Sequence, residues 1–81
     1  MGTMTDELKK KSLCDRLARI EGQLRGPQKL IQAEAESEQV AQQMTAARKA
    51  LDKAFFALVG ALIAEGATGK DDIASLLVRF A

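Results

Sequence analysis

Five side chains on one run of this chain have the type and spacing to hold an extended anion. Lys9, Ser12, Arg16, Arg19 and Gln23 recur at intervals of three or four. At roughly 100° per residue, that spacing keeps them within an arc of about 80° on a helix. Arginine suits phosphate because its planar fork presents paired donors to two oxygens. Gln23 adds a hydrogen-bonding group in the same lane. Covalent chemistry has little to work with. The sequence has no histidine and one cysteine, Cys14, and no acid–base pair stands out. The plainer reading of the cationic lane is a solvated helix face, and charge alone does not separate the two.

The elements that must position this lane are helices. Beside it runs an apolar lane through Leu13, Leu17, Ile20, Leu24 and Ile31, which needs a partner. Thr5 or Asp6 is suited to cap the first helix, which runs to about Ala33, with a loose tail over residues 1–5. Pro27 lacks a backbone donor and crowds the carbonyl of Gln23, so a kink or a break is expected near Gly26-Pro27. Ser37 is placed to cap a second helix. Its apolar stripe passes through Val40, Met44, Ala47, Leu51, Ala54, Leu58 and Ala61 in a heptad rhythm. From Phe55 onward the apolar surface widens to Phe56, Val59, Leu62 and Ile63, which reads as an oligomer core. Glu65-Gly66-Ala67-Thr68-Gly69 is a stop signal. A short third helix follows, begun at Thr68 or Gly69, with Ile73, Leu76, Leu77 and Phe80 on its apolar face. The expectation is one all-α domain over 1–81: three helices, the first two antiparallel, a dimer with a four-helix core, and a dimer-of-dimers tetramer.

Composition points the same way. Eighty-one residues fill a core poorly. A single cysteine excludes an internal disulfide, so oligomerisation is the remaining remedy. Tyr and Trp are absent, which disfavours single-strand binding by base stacking. The net charge is +1, but residues 1–29 carry seven Lys/Arg against four Asp/Glu, and residues 30–81 carry five against seven. The start is charged rather than signal-like, and the most apolar run, Ala54 to Ala64, is too short to cross a bilayer. A cytoplasmic, reduced setting is expected, with no membrane partner.

Two runs now carry a resemblance: Arg16-Leu-Ala-Arg-Ile-Glu-Gly-Gln-Leu-Arg-Gly26, and Gln43-Met-Thr-Ala-Ala-Arg-Lys-Ala-Leu51. In this order and separation they resemble the CsoR/RcnR/FrmR family of small bacterial repressors that sense metal ions or formaldehyde. The resemblance spans about residues 8–66. It implies a three-helix protomer, a tetramer, and double-stranded operator DNA released on effector binding. It also implies that Arg16 and Arg19 contact DNA, with Gln23 on the same lane. Arg48 matches a basic position of some members; it suits DNA contact and a structural ion pair equally. Arg25 and Lys29 point elsewhere and read as solvated.

The resemblance also implies an effector site of Cys, His and Cys shared between protomers. Here those positions hold Ser37, Leu62 and Gly66. A serine hydroxyl is a poor ligand, and leucine and glycine side chains offer none, whereas copper, nickel, cobalt and zinc want thiolate or imidazole. The expectation is therefore no metal and no cofactor, and no aldehyde or persulfide chemistry. Cys14 reads as a small buried or half-buried thiol rather than a replacement. Glu34, Glu36, Glu38 and Glu65 lie near the old site; an acidic helix–loop junction accounts for them more simply than a hard-cation site. The leading expectation is a DNA-binding repressor with a degenerate effector site and an unknown small-molecule effector, if any. The alternative is a helical scaffold, or a hetero-oligomer partner of a ligand-bearing paralogue, that does not bind DNA. An enzyme is the weakest option.

Overall fold

The computed structural model describes residues 3–66 and 69–81. It contains α1 (Glu7–Gln32), α2 (Ser37–Glu65) and α3 (Lys70–Phe80). Among the described residues there is no strand. The all-α, three-helix expectation is met.

Asp6 caps α1: its carboxylate accepts from the Lys9 backbone N–H at 3.0 Å. The helix runs through Pro27 without a break, and Pro27 is buried. One lost backbone hydrogen bond is offset there by packing of the ring. The turn between α1 and α2 is tight, with Glu34 at a positive φ of 56°. That turn puts Glu36 at the N-cap of α2, without a side-chain cap bond, and leaves Ser37 as the first helical residue. The expected Ser37 cap is thus corrected by one residue. Gly66 closes α2 in the left-handed region, φ 64°, where a side chain would be strained. Gly69 caps α3; Thr68, the other candidate, lies outside the described residues.

α1 and α2 form an antiparallel hairpin. The start of α1 meets the end of α2, where Thr5 and Asp6 bond to Glu65. Near the turn, Gly26 lies so close to Gln43 that a Cβ would run into its amide oxygen. The apolar lane of α1 splits in two. Ile20 and Pro27 are buried and Leu13 is half-buried, a row seven residues apart that faces α2. Leu17, Leu24 and Ile31 stay exposed. The stripe of α2 splits likewise: Ala47 and Ala54 are buried, whereas Met44 and Leu51 are exposed. The wide apolar end of α2 is divided too. Val59 and Leu62 are buried within the protomer, and Phe56 and Ile63 are not. The reading of all four as oligomer core therefore fails for the first pair, which the protomer already uses.

The protomer is a slab of 47 × 27 × 13 Å. Its radius of gyration is 15.8 Å, against about 12 Å for a compact domain of this length. Both flat sides of the hairpin are therefore surface.

Candidate nucleic-acid interface

On one flat side, the groove between α1 and α2 is open along most of its length. Lys9, Ser12 and Arg16 line it near the start of α1, against Ala57 and Ala61. Arg16, Arg19, Ile20 and Gln23 line its middle, against Ala50 and Lys53. Gly22, Gln23 and Gly26 meet Gln43 and Ala46 at its far end. The spacing argument and the structure agree on the α1 wall: Arg16, Arg19 and Gln23 stand together. The α2 side is a row of small residues, so it forms a low floor from which Lys53 rises.

Lys53 is the residue that the linear pattern does not single out. It lies far from Arg16 in sequence and meets it only through the antiparallel crossing. Its signal was indirect: Gln43, Ala46, Ala50, Lys53 and Ala57 also recur at three and four, one more helical row.

The electrostatics of the groove are those of an open cationic seam. Among the described residues the ion pairs are Lys10–Glu7 at 3.1 Å and Lys11–Asp15 at 3.0 Å. Neither uses a residue of the α1 lane or Lys53. Arg16, Arg19 and Lys53 thus have no carboxylate partner among the described residues. Arg16 and Arg19 are solvent-exposed, ready to meet an anion at little desolvation cost.

Arg48 is not brought to this seam. It sits about 200° around α2 from both Ala46 and Ala50, on the opposite side with Met44 and Leu51. No ion pair holds it among the described residues. Cys14 is exposed rather than buried or half-buried, which corrects the expectation for it.

The positions that the resemblance implies for the effector site are likewise not together in one protomer. Ser37 opens α2 and Gly66 follows its end, so they lie about 40 Å apart at 1.5 Å per residue. Ser37 is exposed and lines an open depression with Ile31, Val40 and Met44. Leu62 is only 4% exposed. Glu65 is also far from Glu34, Glu36 and Glu38 within the chain. Instead its carboxylate accepts from the Thr5 backbone N–H at 2.9 Å, the Thr5 hydroxyl at 3.0 Å and the Asp6 backbone N–H. Those bonds, the Thr5 backbone N–H foremost, hold its pKa below the ordinary glutamate value, opposed by desolvation and helped by the Asp6 N–H and nearby Lys9.

An all-α hairpin with a cationic seam is the frame into which the comparison with known families fits. The chain belongs to the metal-sensitive transcriptional repressor family, whose pattern matches residues 9–76. The CsoR-like resemblance is met at that level, and the family is one of transcriptional repressors rather than of enzymes. No curated protein and no solved structure matches the chain. Among the described residues, no helix is long and apolar enough to cross a membrane.

The family description implies a metal ion, and the residues at the positions expected from the sequence resemblance do not fit one. Ser37 offers a neutral hydroxyl, Leu62 a buried hydrocarbon and Gly66 no side chain. Nor do three His, Cys, Asp or Glu side chains gather anywhere among the described residues.

Proposed function

We propose that this protein is a repressor that grips duplex operator DNA along the α1–α2 seam, as an oligomer of identical chains, and that its effector position no longer senses metal through Cys and His ligands. The observation that carries the reading is the seam itself. Arg16, Arg19 and Lys53 stand in one groove with no carboxylate partner among the described residues. Duplex DNA offers phosphates at comparable intervals, and releasing their counterions drives binding.

Self-association is supported by area. The protomer exposes 6093 Å², whereas a compact monomer of its mass exposes about 4,700 Å². The excess, roughly 1,400 Å², exceeds the approximately 800 Å² per partner of a standard interface. Leu17, Leu24 and Ile31 with Met44 and Leu51 form the apolar side, opposite the seam. A second copy seated there leaves the cationic side free. An antiparallel copy also brings the Ser37 end of one chain toward the Leu62 end of the other. The degenerate effector position would then be filled by packing or by a small organic ligand rather than by an ion.

Fluorescence anisotropy with the protein's own upstream DNA tests the reading. With Arg16, Arg19 and Lys53 from each of four chains on phosphates, log K should fall against log salt with a slope of about −11. A chain that assembles but ignores every upstream fragment at low salt would favour the scaffold or hetero-oligomer reading instead.

A further inference from the structure

We infer that Glu65 is a positioning residue for the DNA-binding helix: from the end of α2 it straps down the start of α1 and so fixes where the cationic lane begins. This rests on the DNA-binding reading above. The connection is a chain of hydrogen bonds. One Glu65 carboxylate oxygen accepts from Thr5 twice, by backbone N–H and hydroxyl, and from the Asp6 N–H. Asp6 in turn caps α1 through the Lys9 N–H, and its carbonyl accepts from the Lys10 N–H at 2.9 Å. Lys9, the first cation of the lane, therefore sits in a turn whose cap is itself anchored to α2.

The anchor is distant in sequence, sixty residues from Thr5, and helix formation does not require it. Asp6 alone satisfies the ordinary demand for a cap. The added contact does something different. It sets the position of the α1 terminus relative to α2, and so the height of Lys9 and Arg16 above Ala57 and Ala61 in the groove they share. The charged groups around the carboxylate are Lys9 and Asp6 from the α1 side; the last turn of α2 contributes no basic residue. The strap also ends one residue before Gly66, so a movement at the end of α2 is passed to the first turn of α1.

The test pairs residue-resolved amide exchange with operator anisotropy, on the full chain at pH 7. In Glu65→Ala, exchange should speed up at Thr5, Asp6 and the first turn of α1, with Ile20 and Ala54 unchanged. Operator affinity should fall about fivefold, the equivalent of one lost cap. Glu65→Gln keeps a carbonyl oxygen for the same donors and should restore most of both. Faster exchange with full affinity would overturn the positioning role, and so would unchanged exchange at Thr5 and Asp6. Should Glu65→Ala exchange globally, Glu65→Gln compared with Thr5→Ala carries the same two readouts. A wild-type chain that shows the protection but binds no DNA would sink the DNA reading and this role with it, while leaving the strap as a feature of the fold.

Discussion

The two flat sides of the hairpin are built from the same two helices and the same heptad spacing, yet they are suited to opposite partners. On one side, long cations of α1 stand over a floor of alanines on α2. On the other, Leu17, Leu24, Ile31, Met44 and Leu51 present bare hydrocarbon. The buried row of Ile20 and Pro27 against Ala47 and Ala54 runs between them. The difference teaches where a small protein places its burdens. Charge is left on the side where desolvation is avoided, and apolar area is left where a second copy can cover it.

The sharpest way to break this contrast is to put a charge on the apolar side. Leu24→Asp combined with Leu51→Asp should cost several kcal/mol of assembly free energy and reduce the protein to monomers with lowered helicity. Sedimentation and circular dichroism read this directly. An intact oligomer would mean that the copies meet elsewhere. Next in size is the cationic side. Arg16→Ala with Arg19→Ala should weaken operator binding about a hundredfold or more, at a few kcal/mol for the lost charge-assisted bonds, with sedimentation unchanged.

A third pair of variants sharpens the assignment of sides. Lys53→Ala should weaken DNA binding about tenfold and flatten the salt slope, whereas Arg48→Ala should change neither. Equal losses in the two would mean that DNA reaches around the slab. The smallest effect belongs to acid. Glu65 is held below its ordinary value in the folded chain, so its contribution is complete above the ordinary glutamate value. That contribution is lost as pH falls through the lowered folded value. Exchange protection of the Thr5 and Asp6 amides should follow that course, and should lose its acid dependence in Glu65→Gln.

Much of the fold was legible in the sequence because periodicity states it. The helices and the α1 lane of Arg16, Arg19 and Gln23 follow from spacings of three and four, and the stop at Gly66 follows from glycine itself. What periodicity does not state is which neighbour each apolar residue meets. Leu13 and Leu17 look alike in a helical pattern, but one turns toward α2 and the other away from it. Ser37 fits a cap by residue type, but the N-cap of α2 falls one residue earlier, on Glu36. Lys53 is not singled out by the pattern, and Glu65 reads there only as one of four acidic residues, for one reason. Each acquires its meaning from a residue on the other helix, and only the antiparallel crossing brings them together.

The slab's thickness of 13 Å has a consequence for the living cell. On the proposed assembly, a body with two skins and a thin interior is held up by its companions, so dilution acts on it as a denaturant. Its melting temperature should climb with protein concentration. Gene dosage would then set both how many repressors exist and what fraction of them is folded.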